Sequence, residues 1–154
     1  MSEVFSNTSA SRRANMRAIR SRGNRSTEVR LRAAIVCRGI RGWTLHPNEV
    51  FGVPDFFFEK RRVAIFVDGC FWHGCPLCGH VPKTNTEYWV KKINRNRARD
   101  NVVNVTLAAS SFSVVRLWEC EIRTALPDCV DRIVTELESK RRQMKSRMRT
   151  SLQR

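Results

Sequence analysis

Pro54-Asp55-Phe56-Phe57-Phe58-Glu59-Lys60-Arg61-Arg62-Val63-Ala64-Ile65-Phe66-Val67-Asp68-Gly69 decides how this chain folds. Val63 to Val67 is an uninterrupted apolar run of strand length and predicts a central strand buried on both faces. The aromatic run Phe56 to Phe58 is separated from it only by the charged turn Glu59-Lys60-Arg61-Arg62, so the two runs form an antiparallel hairpin. Asp55 stands at the entrance of the hairpin and Asp68 at its exit, and entrance and exit share one edge of the sheet. Both acids can therefore point into one cleft and hold a hard divalent cation such as Mg²⁺ through oxygen. For either acid alone, a solvated turn residue is the plainer reading.

Outward from the hairpin, Trp43 to His46 is a short strand candidate, followed by a loop over Pro47 to Val53. Upstream, Ser26 or Thr27 can cap a helix whose apolar residues Val29, Ala33 and Val36 recur at i, i+4 and i+7, ended by Gly39 and Gly42. Residues 1–25 are a polar basic arm with an amphipathic patch around Met16, Ala18 and Ile19. Downstream, Thr84 or Asn85 opens a long helix to about Ala109, with Tyr88 or Trp89, Ile93, Ala98 and Val102 or Val103 as its buried stripe. Phe112 to Trp118 reads as a strand centred on Val114 and Val115. A last helix starts near Pro127-Asp128 and buries Val130, Ile133, Val134 and Leu137. Residues 141–154 form a basic, apolar-poor tail, either a frayed helix or disordered. This order specifies one α/β domain over residues 26–140, a small mixed sheet flanked by helices.

The exit of the hairpin runs into Cys70-Phe71-Trp72-His73-Gly74-Cys75-Pro76-Leu77-Cys78. Thiols at C-x4-C-x2-C spacing can close around one zinc ion, and a fourth ligand must come from elsewhere in the chain. Cys120, just past a strand end, can reach a neighbouring loop. His80 can replace one thiol, and Cys37 or Cys129 can replace Cys120, although both lie among apolar neighbours on helices and read better as buried free thiols. Four thiolates would make a closed structural site. His73 stays open between zinc ligand and general base beside a metal-held phosphate. The adjacent Phe71 and Trp72 suit insertion into a base stack. Glu28 and Asp100, on helices, read by default as surface acids.

The composition names the partner class. Lys and Arg number 29 against 14 Asp and Glu, for a net charge of +15 and a pI near 10.9. So large an excess opposes compaction unless a polyanion is the usual partner, and nucleic acid is the first candidate. A membrane partner is disfavoured, because no apolar stretch approaches the roughly 18 residues of a spanning helix. Met1 to Asn15 lacks the apolar segment of a signal peptide. The expected location is cytoplasmic and nucleoid-associated, where six cysteines stay reduced.

Several motifs occur together in order: Asn15-Met16-Arg17-Ala18-Ile19; Pro54-Asp55; Ile65-Phe66-Val67-Asp68-Gly69-Cys70-Phe71-Trp72-His73-Gly74-Cys75-Pro76; Pro82-Lys83-Thr84 with Tyr88-Trp89; Arg95-Asn96-Arg97-Ala98-Arg99-Asp100; and Trp118-Glu119-Cys120. Across roughly residues 11 to 140 the chain resembles the very short patch repair (Vsr) endonucleases. The resemblance implies a restriction-endonuclease-like fold of the PD-(D/E)XK type. It also implies Mg²⁺-dependent nicking 5′ to the mispaired T of a T:G mismatch, the product of 5-methylcytosine deamination. It makes Asp55 the metal-binding carboxylate, with Asp68 or a backbone carbonyl there as a second Mg²⁺ contact. His73 becomes the general base, Asp100 its supporting acid and Glu28 an active-site acid. Cys70, Cys75, Cys78 and Cys120 become the structural zinc site. Phe71, Trp72 and Trp89 become wedges at the mismatch, with Met16, Arg17 and Lys83 as further DNA contacts. No lysine follows Asp55 in the (D/E)-x-K position, which leaves the activation of water to His73. The expected partner is mismatched duplex DNA, bound by a monomer, with nick-processing repair proteins as further partners. A zinc-stabilised DNA-binding protein without catalysis, and a nuclease of the same fold without mismatch preference, are the alternatives.

Overall fold

The computed structural model describes residues 27–151, so Met16, Arg17 and the rest of the arm lie outside the described residues. The elements are α1 (Glu28–Cys37), β1 (Thr44–Leu45), β2 (Phe56–Phe58), a 3₁₀ turn (Glu59–Arg61), β3 (Val63–Asp68), α2 (Cys70–His73), α3 (Thr86–Ala109), β4 (Ser113–Trp118), α4 (Glu119–Thr124) and α5 (Leu126–Ser151). The four strands make one sheet in sequence order. The hairpin forms with Phe56 opposite Ile65 and Phe58 opposite Val63. Its turn closes at Arg62, which adopts left-handed backbone. β4 lies parallel to β3, pairing Val63 with Ser113 through to Asp68 with Trp118. A parallel neighbour requires a crossover, and α3 supplies it.

The pleat sorts side chains to two faces. Phe56, Phe58, Val63, Ile65 and Leu117 join Leu31, Ile35, Ile122, Ile133 and Leu137 in the larger core, under α1, α4 and α5. Phe57, Ala64 and Phe66 meet Val103 and Leu107 of α3 on the other face. Truncating a fully buried residue such as Ile65 to alanine would cost about 2–5 kcal/mol.

The first helix is rotated from the apolar stripe expected of it, and the crossover helix buries Ile93 and Val103 as expected but not Ala98. In α1 the buried residues are Glu28, Leu31 and Ile35, while Val29, Ala33 and Val36 are exposed. In α3 the inward face runs Ile93, Asn96, Asp100, Val103 and Leu107, while Ala98 and Val102 face solvent. The physical reason is common to the two: a polar residue occupies the inward stripe where the helix borders the end of β3, which hides the stripe from an apolar count. Cys37, expected buried, is exposed at the end of α1, on the side away from the core-facing Ile35, whereas Cys129 is buried as expected. The short helix α4 was not anticipated. It starts where the Glu121 carboxylate accepts from Trp118 N–H at 2.8 Å, and it carries Cys120. α5 continues without a break past Lys140 to Ser151. Among the described residues no helix is long and apolar enough to cross a membrane.

Candidate active site

Strand register brings three chain segments together at the carboxyl end of β3. Leu45 pairs with Phe56, and Phe56 with Ile65, so His46, Asp55 and Phe66 lie in line one step beyond these pairs, with Val67 next along β3. Val67 N–H donates to Asp55 Oδ2 at 2.7 Å. His46 Nε2 lies 2.8 Å from Glu28 Oε1, and its Nδ1 lies 3.7 Å from Asp55 Oδ1. Potential ligand atoms of Glu28, His46 and Asp55 all lie within 4.8 Å of one another. Burial pushes the Asp55 carboxyl up to about 6, and the neighbouring Glu28 charge adds to this against the Val67 hydrogen bond. A buried carboxylate pair short of positive charge is the environment a divalent cation relieves.

Asp68 belongs to a second group. Arg116 Nη1 donates to both of its oxygens, at 2.7 and 2.9 Å. His73 Nδ1 lies 2.6 Å from Asp100 Oδ2, and Arg116 Nη2 lies 3.2 Å from Asp100 Oδ1. Arg116 Nε also donates to Asn104, and its guanidinium lies 4.7 Å from the centre of the Phe66 ring. Asp55 and Asp68 therefore fall in separate groups of potential ligands, Asp55 with Glu28 and His46 and Asp68 with His73 and Asp100, rather than in one as the hairpin suggested. β3 and β4 run in parallel register with Phe66 opposite Arg116, so the Asp68 carboxylate is taken up by the guanidinium on the α3 side of the sheet.

The loop between β3 and α3 is clamped. Asn96 Nδ2 donates to Trp72 O at 2.8 Å, and Arg97 donates to the carbonyls of His73 and Gly74. Gly74 is left-handed at φ 64°, and a Cβ there would sit 2.7 Å from Arg97 Nη2 and 2.8 Å from Ile93 Cγ2, so both its conformation and its close approach favour glycine. Cys70, Cys75, Cys78 and Cys120 come together within 4.8 Å. Cys75 Sγ lies 3.7 Å from Cys120 Sγ, and thiolates on one tetrahedral zinc lie about 3.8 Å apart given Zn–S near 2.3 Å. The donor set fits zinc. Burial pushes the Cys70 thiol up; Cys75, on which burial acts the same way, is nevertheless drawn down by the N–H groups of Cys78 and Leu77. His80 is outside this group, with its ring 5.9 Å from that of Phe71. Cys37 and Cys129 are outside it as well.

Phe71 packs edge-on against Trp72 and Trp89, at 5.0 and 5.1 Å between ring centres, and all three are half-buried. Tyr88 extends this cluster. Lys83 is exposed on the loop before α3, where its carbonyl accepts from Thr86.

Residues 3–78 match the family model for DNA mismatch endonuclease Vsr. The chain is 37% identical over 116 residues to the DNA mismatch endonuclease Vsr of Escherichia coli K12, covering 74% of this chain and 72% of that protein. The chain belongs to the Vsr family. It is 41% identical over 132 residues to the type II nicking enzyme V.NaeI of Lentzea aerocolonigenes, covering 83% of this chain and 77% of that one. It is likewise 41% identical over 113 residues to V.XorIIP of Xanthomonas oryzae pv. oryzae, covering 72% and 81%. As a member of the Vsr family it is an endodeoxyribonuclease, and its basic surface has DNA as its counterpart.

Two residues of the site, Arg116 and His46, do not stand out in the sequence. Arg116 had a signal: one arginine inside the strand Ser113–Trp118 must find a partner if the strand is buried. The signal for His46 was weaker, since it appears only once β1 is paired with β2.

Proposed function

We propose that this Vsr-family endonuclease nicks one strand of duplex DNA 5′ to the mispaired T of a T:G mismatch, with Mg²⁺ as cofactor, on a restriction-endonuclease-like core. The observation that supports this best is the meeting, at one strand end, of a cation-hungry carboxylate group, a carboxylate-backed imidazole and a cluster of half-buried aromatics.

Asp55 would hold the cation, with Glu28 beside it. When bound, the cation supplies positive charge that stabilises the phosphate and the leaving oxygen during displacement. His73 acts as the base. A carboxylate can only accept, so Nδ1–H donates to Asp100, and Nε2 keeps the lone pair that takes a proton from water. Arg116 fixes Asp100 from its other oxygen and so sets the imidazole plane. The side chains of Asp68 and Arg116 neutralise each other, which leaves Asp68 a positioning role rather than a cation contact. Phe71, Trp72 and Trp89 would wedge beside the mismatch, where the step costs less to open than a paired one. The four thiolates would hold structural zinc, which fixes the loop carrying both wedge and base.

The test is a pair of measurements on Asp55→Asn with a T:G-mismatched duplex. Mismatch binding should stay within about threefold of the parent chain, because the wedge and basic surface are untouched, while Mg²⁺-dependent nicking falls by about 10³-fold or more. Nicking at the parental rate would contradict the reading.

A further inference from the structure

We propose that His46 is a ligand of the catalytic cation, so that the site joins imidazole nitrogen to the Asp55 carboxylate and takes Mn²⁺ in preference to Mg²⁺. This deepens the cation role given to Asp55 above and rests on that reading.

The hydrogen-bond geometry fixes which ring nitrogen is available. Nε2 lies 2.8 Å from Glu28 Oε1, and since a carboxylate only accepts, Nε2 carries the proton. Nδ1 lies 3.7 Å from Asp55 Oδ1, beyond the 2.7–3.2 Å of an N–H···O bond. The imidazole is therefore not a bridge donating to both acids. Its second nitrogen faces a carboxylate without bonding to it, as two donors do when they share an ion. Asp55 Oδ2 is already engaged by Val67 N–H, so Oδ1 is the oxygen left on the His46 side.

The arrangement Glu28–His46–Nδ1 matches the carboxylate–histidine pair that orients metal-bound imidazoles elsewhere: the acid fixes tautomer and ring plane and raises the basicity of the other nitrogen. His46 is half-buried, and its backbone is left-handed at φ 46°, an uncommon conformation for a non-glycine residue. It comes directly after β1, where the chain turns beside Asp55. Mg²⁺ is bound through oxygen, whereas first-row transition ions gain from an imidazole nitrogen. Mn²⁺ is the probe because it is paramagnetic and coordinates both donor types.

The experiment uses the full chain with zinc on its thiols and no DNA. Calorimetry measures Mn²⁺ and Mg²⁺ binding, and pulsed electron paramagnetic resonance of the Mn²⁺ form reports directly coordinated nitrogen. We expect Mn²⁺ to bind about tenfold or more tighter than Mg²⁺. His46→Gln should weaken Mn²⁺ about tenfold or more but Mg²⁺ by less than about threefold. Nitrogen coupling should be present in the parent chain and in His73→Gln, and absent in His46→Gln. Absence of coupling in the parent chain overturns the proposal, and that reading needs no variant to fold. Coupling that survives His46→Gln, or equal weakening of both cations, overturns it as well. None of these readouts involves cleavage. A chain that nicks T:G duplexes with no nitrogen on its Mn²⁺ keeps the nuclease reading and loses this one; a chain that fails to nick yet shows His46-dependent coupling does the reverse.

Discussion

Replacing Asp55 by asparagine should stabilise the folded protein at the pH where it works, even as it removes function. The Asp55 carboxyl is held at about 6 against its ordinary 3.8, first by burial. The folded state thus holds this proton more tightly than the unfolded chain. Stability from the proton is complete below about pH 4 and is lost as pH rises through 6. Lifting the carboxyl that far corresponds to about 3 kcal/mol, and the side chain is 18% exposed, which trims the figure to about 2–3 kcal/mol. Asparagine carries no charge to desolvate, and its Oδ1 can still accept from Val67 N–H. For a chain of this size that amounts to about 5–10 °C in Tm. The assay is thermal unfolding of the zinc-loaded parent and Asp55→Asn at pH 4.5, 6 and 8 without divalent cations in the buffer. The variant should gain about 2–3 kcal/mol at pH 8 and about 1 kcal/mol or less at pH 4.5. Saturating Mg²⁺ should narrow the gap at pH 8, because only the parent binds it well. A variant less stable than the parent at pH 8, or a gap independent of pH, would refute the reasoning.

Three further outcomes are expected. Cys120→Ser should lower bound zinc well below one equivalent and reduce Tm, as a chelator should on the parent chain, by metal analysis and calorimetry. Arg116→Met leaves Asp68 and Asp100 without their guanidinium and should cost about 3–5 kcal/mol of stability in denaturant unfolding, with Arg116→Lys recovering part of it. Trp72→Ala should weaken T:G duplex binding by about 1–3 kcal/mol in a titration at fixed salt while shifting Tm little, since Trp72 is only half-buried.

The hairpin, the central strand and the long crossover helix were legible because each rests on one local signal. Val63 to Val67 is apolar without a break, Glu59 to Arg62 is charged, and the stretch before Ala109 lacks helix breakers. What escaped was written in polar residues on buried faces. Glu28 occupies the inward stripe of α1, and Asn96 and Asp100 that of α3, so counting apolar residues pointed Val29, Val36 and Ala98 inward when they face water. Their polar contacts explain that mismatch: these acids and amides are turned in to meet His46, His73 and the loop. The four cysteines were readable as a group from spacing plus Cys120, although the choice among Cys78, His80, Cys37 and Cys129 needed the fold. The separation of Asp55 from Asp68 was not readable, because it depends on Arg116 arriving from a strand almost fifty residues away in parallel register.

The most direct test of the central claim is cleavage by the parent chain of a duplex carrying a single T:G mismatch, read at nucleotide resolution beside the matched duplex, with Mg²⁺ and with chelator. The expected result is one nick, on the strand carrying the mispaired T and on its 5′ side, present with Mg²⁺ and absent without it or on the matched duplex. Equal cutting of matched and mismatched DNA, or no cutting with any divalent cation, would contradict it.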